Sequence, residues 1–327
     1  MQTKIKEVYK LVKDGLDGVD EQFRVLAGSQ DGKFQELHRM LSHLLSGRGK
    51  AVRPLLALHA GSLYNYDHQK IVYMATASEL MHIATLVHDD AIDKASVRRG
   101  QETINKIWGT DKAIIFGDYL FAKAAEYAVD TGSLRVVRLF SQTLEAISYG
   151  ELMQGFSAFN LEQTYDKYIE RITGKTAALF ALSTEGGAIL SGAPEESIKI
   201  LREYGLNLGI SFQIVDDIFD FIGTEKEMGK PVGSDLAQGT VTLPTMMLME
   251  RYPEDNPVKR IFNSEGDKDK NVKEAIELVR NSDIVEECYR VASEYSDKAS
   301  FNLNRLPDSP NRQALYTMAE YVVKREK

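Results

Sequence analysis

The chain has 327 residues, 43% of them apolar, enough to bury a sizeable core. Forty basic residues against 48 acidic ones leave a formal charge of −8, which excludes a general nucleic-acid binder. One cysteine, Cys288, excludes a disulfide framework, and no apolar run reaches the ~18 residues of a membrane span. Met1 to Lys10 reads as an amphipathic helix and not as a signal peptide, so a soluble, cytoplasmic protein is expected.

Apolar residues recur with helical spacing almost throughout, and no stretch alternates convincingly between apolar and polar. The pattern predicts helices over about 4–26, 34–46, 52–64, 68–91, 111–129, 134–159, 165–190, 195–221, 241–251, 270–304 (broken near Asp283) and 308–325. Gly, Pro and Asn/Asp punctuate them, as in Ser46-Gly47-Arg48-Gly49 and Gly192-Ala193-Pro194. Two loops are less regular, Lys94–Gln101 and Thr224–Gly239. No linker interrupts the series, so residues 1–327 read as a single all-α domain, one large helical bundle.

The run from Glu79 to Arg99 organises the rest. It is apolar nearly all round (Leu80, Met81, Ile83, Ala84, Leu86, Val87), the pattern of a buried helix, and it closes on Asp89, Asp90 and Asp93. A helix C-terminus carries about half a negative charge, and like charges four apart repel, so these carboxylates call for a cation. Leu206 to Val215 repeats the pattern and closes on Asp216, Asp217 and Asp220. One D-D-x-x-D alone can be a solvated helix end. Two of them, each closing a buried helix, point to carboxylate walls facing across one cavity. Carboxylates without His or Cys suit Mg²⁺, usually completed by water and substrate phosphate. The expected substrate is a phosphate or diphosphate ester.

Cations lie near both clusters: Arg98 and Arg99, Lys175 beside Thr176, Lys230, and Lys50 with Arg53. Each taken singly is more often a surface charge. His82 lies two turns before Asp89 on the same face, and His88 beside it reads as a packed core histidine.

Together these residues resemble the trans-isoprenyl diphosphate synthases, the polyprenyl synthase family. The resemblance runs through G-K-A-V-R-P (49–54), E-L-M-H-I-A-T-L-V-H-D-D (79–90), D-x-x-x-V-R-R-G (93–100), G-D-Y-L (117–120), G-K-T-A (174–177), F-Q-I-V-D-D-I-F-D (212–220), G-K-P-V-G-S-D-L (229–236) and A-E-Y-V-V-K-R (319–325). It implies an all-helical, homodimeric isoprenoid synthase fold with a central cavity. It also implies an enzyme that condenses an allylic diphosphate with isopentenyl diphosphate, dependent on Mg²⁺ or Mn²⁺. Position by position, Asp89 and Asp93 would bind Mg²⁺ with Asp90 in support, and Asp216 would bind a further ion with Asp217 and Asp220 acting through water. Lys50, Arg53, His82 and Arg99 match the isopentenyl diphosphate site. Arg98, Lys175, Thr176, Gln213 and Lys230 match contacts to the allylic diphosphate. The catalytic set would be Asp89, Asp93, Asp216, Lys175 and Gln213. Two departures are visible: Arg48 and Ala51 replace the first Gly and first Arg of G-G-K-R-x-R-P, and Thr240 stands where a second loop lysine is usual.

The implied chemistry is ionisation, condensation and elimination, which needs no nucleophilic side chain. Thr85 and Ala84, four and five residues before Asp89, are both small, as in longer-chain members, so a product beyond C20 is expected. A farnesyl or geranylgeranyl diphosphate synthase is the nearest alternative. A class I terpene cyclase would have a mixed second motif and no need of Lys50, Arg53 and Arg99. A non-catalytic partner subunit would have lost aspartates.

Overall fold

Helices make up nearly all the regular structure, as the periodicity predicts. The computed structural model describes residues 2–28, 34–47, 49–224 and 231–325. The stretch read as one N-terminal helix is two, α1 (Gln2–Leu11) and α2 (Lys13–Gly28), interrupted at Val12. Helices α3 (Gln35–Ser46), α4 (Val52–Gly61) and α5 (His68–Ile92) follow. The loop after α5 holds an unexpected antiparallel hairpin, β1 (Val97–Arg98) with β2 (Gln101–Glu102), in which Val97 faces Glu102. Two-residue strands are too short to show a period. Between them Arg99 and Gly100 take φ of +52° and +79°, the positive pair that a type I′ hairpin turn requires.

Next come α6 (Ile104–Trp108), α7 (Thr110–Asp130), α8 (Leu134–Phe156) and α9 (Tyr165–Ile172). One π-helical turn, Thr173–Ala177, leads into α10 (Ala178–Leu190), and α11 spans Glu195–Ile222. Later helices span Ser234–Ala237, Leu243–Arg251, Pro257–Phe262, Lys268–Arg280, Ile284–Ser300 and Pro310–Lys324, with the expected break before Asp283. The Pro257–Phe262 helix is absent from the sequence reading although its signal is visible. Asn256 caps it by accepting from the Lys259 N–H at 3.0 Å, and Pro257 takes the first turn.

The chain forms two compact units. The first joins Met1–Gln142, Leu179–Gly205 and Asn302–Met318; the second joins Thr143–Ala178, Leu206–Phe301 and Ala319–Lys327. In the first, α5 packs chiefly on α7 and α4, and also on α2. Ile71, Met74, Leu80 and Met81 on α5 are wholly enclosed, each such side chain contributing about 1.5–3 kcal/mol. His88 is satisfied and packed, though half-buried and not the core histidine the sequence suggests. Its Nε2 lies 2.9 Å from the Ile114 carbonyl oxygen, and its ring meets Phe121 edge-on. Gly117 makes the room, since a Cβ there would stand 2.1 Å from the imidazole. In the second unit the core gathers around Ile214, Val215, Ile218 and Phe221 of α11, with Tyr168, Leu248, Val258 and Cys288.

His59, buried in α4, ties three segments of the first unit together. One ring nitrogen lies 2.9 Å from Asn311 Oδ1 and the other 3.1 Å from the Val8 carbonyl oxygen. Burial pushes its pKa down to about 4, against the two hydrogen bonds. The folded value lies below the unfolded one of about 6.5, so between the two only the unfolded chain takes up the proton. This contribution is complete above pH 6.5 and falls by up to about 3 kcal/mol as the pH drops toward 4. The urea midpoint should therefore drop between pH 7 and 4.5, and drop less in His59→Gln. Equal slopes for the two proteins would rule this out.

Candidate active site

In the first unit, α5 delivers its carboxylates to its last turn, where no basic residue offsets the helix dipole. Asp89 is half-buried and Asp93 exposed, and the Asp93 N–H donates to the Asp89 carbonyl at 2.8 Å. Asp90 faces inward. Arg98 Nε donates to both its oxygens, at 2.8 and 3.0 Å, which ties the hairpin to α5. Burial raises the Asp90 pKa while Arg98 opposes the rise. Arg98, matched from sequence to the allylic diphosphate, is thus a partner of Asp90 in this structure.

The hairpin turn carries Arg99 against the loop before α4. A Cβ at Gly49 would stand 2.6 Å from the Arg99 guanidinium, so a side chain there would displace it. Arg53 is buried, its guanidinium 4.9 Å from the centre of the Phe180 ring. His82 is half-buried, and burial holds its pKa well below the usual value, helped by Arg53, Arg99 and Arg98 in that order. A neutral imidazole among three guanidiniums is a setting for an anion. Lys50 is exposed beside a cavity of about 480 Å³ lined also by Lys6, Tyr9, Lys10, Gly49 and Glu79, and its carbonyl accepts from the Tyr9 hydroxyl.

In the second unit the π turn presents Lys175 and Thr176. Lys175 Nζ lies 2.6 Å from Glu151 Oε2 of α8. Thr176 Oγ1 donates to Gln213 Oε1 at 2.6 Å, and Gln213 Nε2 donates to Asp217 Oδ1 at 2.8 Å. Asp217 also accepts from the Tyr168 hydroxyl at 2.7 Å. Burial, then Asp235, pushes its carboxyl up to about 7, though both hydrogen bonds pull it down. Asp216 pairs with Arg325, which lies over the Phe212 ring at 3.9 Å. Asp220 is buried and accepts from Ser234 Oγ at 3.0 Å and the Asp235 N–H at 3.1 Å, which anchors the start of the Ser234–Ala237 helix. Lys230 and Arg48 lie outside the described residues.

Sequence reasoning passes over Glu151, Tyr168 and Arg325. Arg325 stands in a quoted motif without a role. The other two have no local signal, since each meets its partner only through folding.

The donor set fits a hard divalent ion: carboxylate oxygens on an i, i+4 helix pair at the negative end of a dipole. Among the described residues no three His, Cys, Asp or Glu side chains form a closed metal cage. An ion here needs water or substrate oxygens to complete its shell, as Mg²⁺ accepts.

Comparison with known proteins decides the family. The Polyprenyl synthetase model matches residues 34–279. The chain belongs to the polyprenyl synthetase family. It is 38% identical over 323 residues to heptaprenyl diphosphate synthase component 2 of Bacillus subtilis, covering 99% of this chain and 91% of the relative. A polyprenyl synthase from Caulobacter crescentus, solved with calcium and isoprenyl diphosphate, superposes with a TM-score of 0.92 at 31% identity, covering 98% of each chain. The heptaprenyl diphosphate synthase of Staphylococcus aureus gives 0.88 at 36% identity, covering 96% of this chain and 99% of the other. The polyprenyl synthetase is accordingly an all-α, divalent-metal-dependent prenyltransferase acting on allylic and isopentenyl diphosphates. No helix among its described residues is long and apolar enough to cross a membrane.

The two neighbouring aspartates of α5 should separate in a stability measurement. Asp90→Ala strands Arg98 and loosens the hairpin, so it should cost about 1 kcal/mol, the modest figure reflecting a part-exposed guanidinium. Asp89→Ala removes a like charge from a negative helix end and should cost less. Urea midpoints without metal measure both, and an Asp89→Ala loss as large as that of Asp90→Ala would contradict this division.

Proposed function

We propose that this synthase makes trans-polyprenyl diphosphates of about C25 to C40, one isoprene unit spanning roughly one helical turn of its α5 wall. The primer is farnesyl or geranylgeranyl diphosphate, the extender isopentenyl diphosphate, the ion Mg²⁺ with Mn²⁺ as a substitute, and the setting the cytoplasm. The observation that carries the length is the turn before Asp89. Thr85 is small and half-open, its hydroxyl donating to the His82 carbonyl oxygen at 2.7 Å. The sequence reading treats Ala84 and Thr85 alike, but Ala84 is wholly enclosed. The heptaprenyl names of the relatives favour the same length.

In this reading Lys50, Arg53 and Arg99, around neutral His82, hold the isopentenyl diphosphate. Arg98 serves the reaction by holding the hairpin to Asp90. Lys175, Thr176 and Gln213, with Lys230 beyond the described residues, serve the allylic diphosphate. Mg²⁺ at Asp89 and Asp93, and at Asp216 with Asp217 and Asp220 in support, supplies the charge neutralisation that lets the allylic C–O bond ionise. The isopentenyl double bond then attacks, and a proton is lost to the released diphosphate. The match over residues 34–279 draws on both units, which supports residues 1–327 as one functional domain.

Two copies are inferred to associate. Ile114 and Ile115 on α7 are exposed, as are Tyr149, Leu152 and Phe156, which share one face of α8. The component 2 name of the Bacillus relative favours a second reading, in which an unlike subunit is required.

One preparation tests both points. Purified chain with Mg²⁺, labelled isopentenyl diphosphate and each primer should yield products of about C25 to C40, and light scattering should give twice the 36.7 kDa chain mass. Products ending at C15 or C20 would overturn the length, and activity only on adding an unlike subunit would overturn the homodimer.

Substitution of the α5 wall gives a sharper check. Thr85→Phe should shorten the products by at least one isoprene unit. Ala84→Phe should mainly lower stability, by about 1–3 kcal/mol, because it overpacks an enclosed position. Unchanged product length in Thr85→Phe would reject Thr85 as part of the wall.

A further inference from the structure

Lys175 sits in the one π-helical turn among the described residues. Such a turn has an extra residue in its hydrogen-bonded ring, costs regularity, and is found frequently at functional sites. Packing against α8 maintains this one: a Cβ at Gly150 would stand 2.6 Å from the Lys175 backbone nitrogen, and one at Gly174 would stand 2.8 Å from the Ala146 carbonyl oxygen. The two backbones therefore meet at glycines. The residue after Gly150 is Glu151, whose carboxylate reaches Lys175 Nζ. The pair is partly shielded, with side-chain exposures of 26% and 29%. On the other side of the turn, Thr176 is fixed by Gln213, itself fixed by Asp217.

A free lysine stem has many rotamers, and holding it in one costs up to about 2 kcal/mol. Glu151 supplies that restraint from a helix already locked to the turn. An ammonium has three donors, so a bond to Glu151 does not exclude bonds to phosphate oxygens.

We propose that Glu151 is a positioning residue, aiming Lys175 at the allylic diphosphate. The inference rests on Lys175 serving that substrate, and a double-mutant cycle separates the two claims. Glu151→Ala should lower kcat/KM for the allylic substrate by about 10- to 100-fold, since a misplacement of about 1 Å can have that effect. Its KM for isopentenyl diphosphate should stay within about twofold of wild type, and Glu151→Asp should recover part of the loss. In a Lys175→Ala background, adding Glu151→Ala should change kcat/KM by less than about twofold.

A near-normal Glu151→Ala enzyme overturns the proposal, as does a Glu151→Ala loss that is equally large with and without Lys175. A Lys175→Ala enzyme of normal kcat/KM overturns the reading of Lys175 and this inference with it. Should Glu151→Ala fail to fold, Glu151→Gln, of the same shape without the charge, enters the same cycle with the same expected outcomes. Gly150→Ala, which pushes on the Lys175 backbone without touching either charge, should reproduce the allylic-specific loss.

Discussion

A helix whose C-terminus collects carboxylates is electrostatically unfavourable, and much of the first unit answers that problem at the end of α5. The last turn of α5 holds Asp89, Asp90 and Asp93 and no basic residue. Asp90 is answered from within the fold by Arg98. Arg98 can reach it only because the chain doubles back as a hairpin straight after the helix, and that hairpin ends in a turn that carries Arg99. Arg99 in turn reaches the loop before α4, where Gly49 admits it. The carboxylate that anchors the hairpin thereby also places a cation beside His82 and Arg53.

The second unit meets the same difficulty differently. Its three aspartates close α11 in three separate environments. Asp216 has a guanidinium, Asp217 has two neutral donors and a pKa raised by burial, and Asp220 holds the start of the next short helix. Identical motif letters therefore stand for different physical roles. A motif tells which residues are present, while burial and partners tell what each can do.

That difference marks what was legible in the sequence. The helical class and the enclosed α5 follow from periodicity and composition, which act locally. The aspartates and cations are legible as residue types at a fixed spacing. The family resemblance already sets Asp90 apart as a supporting residue, but its partner Arg98 is not legible, because that pairing depends on which face α5 turns inward and on the hairpin that follows. Glu151, Tyr168 and Arg325 escape notice because their partners lie far along the chain. The hairpin escapes because two residues per strand carry no period, and the Val12 interruption leaves no breaker in the letters. Among the contrasts the structure adds, that between Ala84 and Thr85 bears most on product length: neighbours of similar size, one enclosed and the other half-open.

Backbone strain falls at the same cations. Ala51 has φ of +48° and Arg99 of +52°, and a non-glycine residue in this region costs about 1–2 kcal/mol. Glycine at either position would remove that cost. Ala51 directly follows Lys50 and sets the start of α4, from whose first turn Arg53 projects. Arg99 itself must turn back toward Gly49. In both places relaxing the backbone would redirect a cationic side chain. Strain persists where the surrounding packing over-determines it, and here the packing is the enclosed first turn of α4 and the Arg98–Asp90 pair under the hairpin. Lys94, Phe159 and Ser264 carry similar positive φ elsewhere among the described residues, so strain alone does not mark a site; at Ala51 and Arg99 its consequence is local, fixing the directions in which Lys50, Arg53 and Arg99 leave the backbone.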